Sequence, residues 1–209
     1  MERLELSQEL AQDILDMAKS KGATPQEFTV ALDGIAVVVH PSNNVKQLTI
    51  AQLGDIFTGT ITNWKQVGGK DAKIVLLSRE VNSGTHVYFK EHVLGKGSDG
   101  HDREFVPSAL LLPSSQAIAD EVATNSTAIG YYGMGYSNPK NTVVAIGKTD
   151  AGPFVVPSEE SVRSGTYPIS RPLLFYSRGE AQGLIKTFLE YVLSPDGQAV
   201  VRKIDFVPV

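Results

Sequence analysis

Apolar positions recur along this chain in two periods, and the alternation between them sketches the fold. Leu6, Leu10, Ile14, and Met17 with Ala18 fall at helical spacing, so a first helix is predicted from an N-cap at Ser7 to a stop at Lys21-Gly22, with Pro25 close behind. FTVALDGIAVVVH, residues 28–40, is rich in β-branched residues and reads as a buried strand or strand pair interrupted at Asp33-Gly34. PSNN (41–44) is a turn. LTIAQLGDIFTG then predicts a helix capped by Thr49, with Leu53, Ile56 and Phe57 on one face and Gly59 closing it. KIVLL (73–77) is a short strand that runs into SREVNSGTHVYFKEHVL, whose second half predicts a helix over 84–94. A polar, glycine-rich loop, GKGSDGHDRE, follows. Further on come a capped helix over 115–123, a strand around 129–132, and a strand in TVVAIG. The end of the chain supplies a strand at PLLFYSR, a helix over 181–193 and a short tail, DFVPV.

Strands alternating with helices indicate an α/β protein with a largely parallel sheet. In such sheets ligands sit beyond the carboxyl ends of strands, where helices begin. Residues 78–85 occupy such a place.

Length and charge narrow the classes of function. The 209 residues suffice for one large domain or two lobes of about 100 residues each. A net charge of −4 argues against a nucleic-acid or anionic-membrane surface held by bulk charge. It leaves room for a small anion, because backbone N–H groups and one arginine need no net positive charge. With no cysteine there is no disulfide or thiolate metal site. No apolar run approaches the roughly 18 residues of a membrane-spanning helix. The charged, amphipathic start is not a secretory signal.

The chemistry concentrates in the stretch after KIVLL. Arg79 stands four residues before Ser83-Gly84-Thr85, and a helix follows. A helix start presents unpaired N–H groups and a partial positive charge, Gly84 lets the backbone approach a ligand, and Arg79 adds a charged fork. The competing reading is that Ser83 caps the helix and Arg79 pairs with Glu80 or Glu91; spacing alone does not decide. A second Ser-Gly-Thr, at 164–166, precedes Tyr167-Pro168, where no helix starts, so that copy reads as a turn. Asp33, in ALDGIAVVV, is either a turn residue at an Asp-Gly step or a hydrogen-bond acceptor where two lobes join. An acceptor would select a protonated phosphate over sulfate, which has no proton to donate near neutral pH. His40, His86, His92 and His101 lack ligand spacing, and Trp64 reads as a core or loop anchor. No catalytic pair, metal site or cofactor motif is expected.

Five stretches in order, ALDGIAVVVHPSN, LTIAQLGDIFTGTITNW, SREVNSGTHVYF, AIGYYGMGY and YPISRPLLFYSRG, resemble the phosphate-binding proteins of bacterial ABC phosphate transporters. The resemblance implies an α/β, two-lobed periplasmic-binding-protein fold of type II. It also implies phosphate ligands at Arg79, Ser83, Gly84 and Thr85, with Asp33 as the inferred acceptor. Of a serine-arginine pair common in the family, only Arg3 remains. Family members carry an upstream region with Gly/Ser/Thr-rich loops that has no counterpart here, so an incomplete first lobe is expected. That lobe would comprise residues 1–39 and 161–209, and the second lobe 40–160. The implied partners are inorganic phosphate and an ABC transporter permease, at a periplasmic or cell-surface location. A homodimer or swapped assembly is expected from the exposed edge of the incomplete lobe. The alternatives are a truncated sensing or scaffold module that binds weakly or not at all, and a binder of another oxyanion.

Overall fold

A computed structural model describes residues 8–136 and 138–209. The expectations for Arg3, Leu6 and Ser7 lie outside the described residues. The chain divides into two compact units, one ending at Asp33 and resuming over Arg171–Val209, the other spanning Gly34–Ser170.

Unit two is built on a mixed sheet. Its strands are the second half of β1 (Gln26–Val39), β3 (Val75–Arg79), β4 (Leu110–Leu112), β5 (Ala128–Gly133) and β6 (Thr142–Val143), in the order β4-β3-β5-β1-β6. β3 runs parallel to β4 and β5, whereas β1 is antiparallel to both β5 and β6. The expectation of a largely parallel sheet is therefore corrected: the central apolar strand enters in the opposite direction. Apolar content alone does not report direction, because a strand covered on both faces reads as a continuous apolar run either way. Ile35 to Val39 are all essentially inaccessible.

One face of this sheet packs Ala36, Val38, Leu77 and Tyr132 against Ile118, Ala119 and Val122 of α4 (Ser115–Thr124). Gly130 allows that approach, since a Cβ there would lie 2.5 Å from Ile118 Cγ2. An aromatic cluster fills another part of the unit: Phe89 stacks on Tyr131 at 3.8 Å, and Phe57 meets both rings edge-on. Phe57 belongs to α2 (Ile50–Phe57), which follows β2 (Gln47–Thr49) and carries the expected Thr49 cap, completed by Gln52 as a capping box. TVVAIG divides between two sheets. Thr142 and Val143 pair with β1, while β7 (Ala145–Gly147) joins β2 and β8 (Phe154–Val155). Trp64 is buried and donates its indole N–H to Thr127 O, as an anchor should.

Unit one contains α1 (Gln8–Ser20), the first half of β1, β9 (Ser170–Ser177, from Arg171 onward), α6 (Gly183–Leu193) and α7 (Pro195–Lys203). β9 pairs with β1, and Leu32 and Val207 exchange backbone hydrogen bonds of 2.8 and 2.9 Å. Asp33-Gly34 does not interrupt β1; the strand is continuous from Gln26 to Val39. Gly34 serves close packing instead of a turn, since a Cβ there would fall 2.7 Å from Val162 Cγ2 and 2.8 Å from Met134 Sδ. α7 is absent from the elements that the apolar pattern predicts.

Candidate functional site

The strand that carries Arg79 ends where a neighbouring parallel strand also ends. Arg79 closes β3 opposite Leu112, the last residue of β4, so the carboxyl ends of both strands open at the same level. β4 leads through Pro113 and the N-cap Ser114 into α4. Arg79 reaches across to this second junction: Nη1 donates to Ser115 Oγ at 3.1 Å, and Nη2 to Pro113 O at 3.3 Å. Both acceptors are uncharged, so among the described residues the guanidinium is fixed in place without being neutralised. Its Nε is buried and has no hydrogen-bond partner among them. Pairing with Glu80 or Glu91, the competing expectation from sequence, is not what holds it.

Between β3 and the next helix lies a tight turn. Glu80 N–H donates to Leu112 O and Ser83 N–H to Glu80 O, with Glu80, Val81 and Asn82 exposed. α3 (Gly84–Phe89) then begins and continues without a break into a π-helical turn over Lys90–Leu94. Ser83 takes the N-cap position with extended backbone, yet its side chain makes no capping bond. The reading of Ser83 as a simple cap is thereby corrected. Ser83 as a residue is buried beside the helix start, and its hydroxyl is not used as a cap. Arg79, Ser83, Gly84 and Thr85 thus share one strand–turn–helix junction.

A polar chain that the sequence did not reveal lies beneath this junction. Ser78 Oγ is 2.6 Å from Tyr131 Oη, 3.0 Å from His86 Nδ1 and 3.2 Å from Arg79 O. His86 Nδ1 is itself 3.0 Å from Arg79 O, and its ring stacks on Phe105 at 4.5 Å. Burial pushes the His86 pKa down, against the opposing effect of its bond to Arg79 O, and pushes the Tyr131 phenol well above its ordinary value.

The second Ser-Gly-Thr sits at the opposite kind of helix end. Ser164 is the C-cap of α5 (Glu159–Arg163), Gly165 has φ +69°, and Thr166 Oγ1 donates to Ser161 O. That end presents carbonyls, so the expected turn there offers nothing to an anion.

Asp33 belongs to unit one. Its Oδ2 accepts from Arg171 Nε at 3.2 Å and Nη2 at 3.1 Å, and the two side chains are only 6% and 15% exposed. The turn reading fails here, because Asp33 is a buried, paired carboxylate within a strand. Among the described residues no group of three or more His, Cys, Asp or Glu is placed to hold a metal ion. No helix among them is long and apolar enough to cross a membrane.

Comparison with known proteins places this architecture. Residues 6–196 match the PBP superfamily domain. The chain belongs to the PBP superfamily. It is similar to the phosphate-binding protein PstS of Pseudomonas aeruginosa, with 34% identity over 203 residues that cover 90% of this chain and 61% of that protein. PstS of Bacillus subtilis is 36% identical over 185 residues, covering 88% of this chain and 57% of that protein. The PBP-superfamily chain therefore spans about three-fifths of the length of these relatives. An ABC-type phosphate transport receptor from Vibrio cholerae superposes with a TM-score of 0.77 at 31% identity, over 89% of this chain and 73% of that one.

Proposed function

We propose that this PBP-superfamily domain captures inorganic phosphate for an ABC transporter as part of a periplasmic or cell-surface solute-binding protein. The observation that carries the proposal is Arg79, an un-neutralised guanidinium locked at paired strand ends beside a helix start whose Ser83 hydroxyl is not used as a cap. In this reading Arg79 supplies the charge, the first N–H groups of the helix supply dipolar donors, and Ser83 and Thr85 supply hydroxyls. Gly84, having no side chain, permits close approach of a ligand to the backbone. Asp33 is assigned the acceptor role on chemistry alone: its carboxylate would accept a hydrogen bond from the O–H that phosphate carries and sulfate lacks. The named relatives and the solved receptor support the ligand. They also support reversible binding over catalysis, being named as binding and transport proteins.

Titration calorimetry of phosphate against sulfate tests the proposal. Phosphate should bind and sulfate should not compete. Arg79→Met should weaken phosphate by about ten- to a hundredfold, the scale of a charge-assisted hydrogen bond. Equal affinity for the two anions would turn the reading toward a general oxyanion binder, and binding of neither toward a sensing or scaffold module.

A second reading concerns assembly. α6 exposes Leu184, Ile185, Phe188 and Tyr191, and Phe175 of β9 stacks on Phe188 at 5.9 Å. At roughly 100 Å² for each half-exposed large side chain, these five amount to about 500 Å², the apolar centre of an interface to which each partner ordinarily contributes ~800 Å². The occupant assigned to it is a second copy of this chain, giving a homodimer that light scattering would detect.

A further inference from the structure

The proposed anion site has two halves on either side of an exposed turn. Arg79 is the last residue of β3, and the N–H donors belong to the first turn of α3. Pre-organised binding requires those halves to stay within about half an ångström of their working separation. The turn itself provides little restraint, with Glu80, Val81 and Asn82 exposed and Ser83 N–H bonded back only to Glu80 O.

His86 bridges the two halves directly. It is the third residue of α3, and its Nδ1 reaches back over the turn to Arg79 O at 3.0 Å. The positions of the hydrogens follow from the partners. A carbonyl can only accept, so a lone pair on Nδ1 at this distance would face another lone pair; Nδ1 therefore carries the hydrogen. Ser78 can then donate to Arg79 O while accepting from Tyr131 O–H, which fills both lone pairs of the carbonyl. Every member of this chain is buried: Ser78 and Tyr131 fully, His86 at 7% exposure. Burial pushes the imidazole pKa down; the bond to Arg79 O and the charge of Glu104 oppose this, and Lys90 reinforces it.

We infer that His86 is a positioning residue of the anion site: its Nδ1–H ties the carbonyl of Arg79 to the first turn of α3 and sets the spacing between guanidinium and amides. The inference rests on the phosphate reading and deepens it. Ser78 and Tyr131 back up this tie, and neither they nor His86 touches the ligand.

The test uses the 209-residue chain, inorganic phosphate, and two substitutions at the same position. His86→Leu keeps the contact with Phe105 and removes the donor, whereas His86→Asn keeps a donor on the same side. His86→Leu should weaken phosphate by about tenfold, the scale of one net hydrogen bond. It should also speed amide hydrogen exchange at residues 83–86. His86→Asn should stay within about threefold of the unsubstituted chain, and Tyr131→Phe, which leaves the tie intact, within about twofold. Nitrogen-15 spectra of the unsubstituted chain should show His86 as the Nδ1–H tautomer. Unchanged affinity and unchanged exchange in His86→Leu would overturn the inference, as would an Nε2–H tautomer. If the unsubstituted chain binds no phosphate, the phosphate reading falls and the positioning role falls with it. If it binds phosphate and His86→Leu binds as tightly, only the positioning role falls.

Discussion

The two units solve the problem of folding by different means. Unit two has an interior: Ile35 to Val39, Phe57, Leu77, Phe89, Ile118, Ile129 and Tyr131 are all removed from water. Among the described residues of unit one, the buried apolar side chains are Val30, Ala31, Leu189, Val201, Val207 and Pro208. That unit relies more on backbone pairing of β1 with β9, on the exchange between Leu32 and Val207, and on the buried Asp33–Arg171 pair. It also leaves apolar side chains of α6 in water. The residues of the proposed anion site, Arg79 and Ser83–Thr85, are rooted in the unit with the larger apolar interior. Apolar burial is the main favourable term in folding, and small units with little of it are marginal.

The largest effect should come from opening the interior of unit two. Phe57→Ala removes a fully buried ring that contacts Phe89, Phe105 and Tyr131, and should cost about 4 kcal/mol. Trp64, the only tryptophan, lies in this unit and reports its unfolding. Urea titrations followed by tryptophan fluorescence should shift strongly, while the part of the far-UV signal due to unit one moves less. Equal shifts in both would show the units unfolding as one body and dissolve the contrast.

In unit one the corresponding weak point is polar. Asp33→Ala leaves the Arg171 guanidinium buried without its carboxylate and should cost about 3 kcal/mol. The loss should appear in the far-UV transition and leave the Trp64 transition near its original midpoint. Should Asp33→Ala prove neutral, unit one is held by its backbone ladder and the pair is incidental.

Where sequence could be read and where it could not follows the same division. The cap of α2 was legible because Thr49 and Gln52 act locally through their own backbone. Strand identity for 28–39 was legible from β-branched content, but its direction was not, since side-chain composition carries no sign. Asp33-Gly34 misled because Asp-Gly commonly marks a turn; here each residue answers a distant partner, Arg171 and the Val162–Met134 pair respectively. α7 escaped notice although Ser194 caps it and Pro195 starts it, a pattern that marks a helix start. Its buried residues Gly197 and Val201 are too few to give a helical apolar stripe. The Arg79–Thr85 stretch stood out in the sequence, although spacing alone did not decide its role. Ser115 and Tyr131 lie on other elements and became visible only with the strands in register, while Ser78, beside Arg79 on β3, showed its part only through its contacts with Tyr131 and His86.

A smaller effect distinguishes the units by pH. Burial lowers the His86 pKa from its ordinary 6.5, so the unfolded chain takes up a proton there that folded unit two resists. The stability involved is fully present above pH 6.5 and is lost as pH falls from 6.5 through the lower folded-state value. The Trp64 transition should therefore soften between pH 7.5 and 5, and His86→Leu should flatten that dependence. An equal slope in His86→Leu would assign the acid sensitivity to other groups.

The smallest change in stability should come with a large change in assembly. Leu184 is 89% exposed, so replacing it by serine removes almost no buried area. The unfolding midpoint should move by no more than about 0.5 kcal/mol in equivalent stability. If the α6 face is where two copies meet, the same substitution should weaken or abolish a dimer in light scattering. The two measurements separate the possible causes. A monomer in the unsubstituted chain would mean that an exposed apolar helix is tolerated without self-association. A dimer that survives the substitution would move the contact to the edge of β9 that no described strand pairs, where backbone groups and not side chains would join the copies.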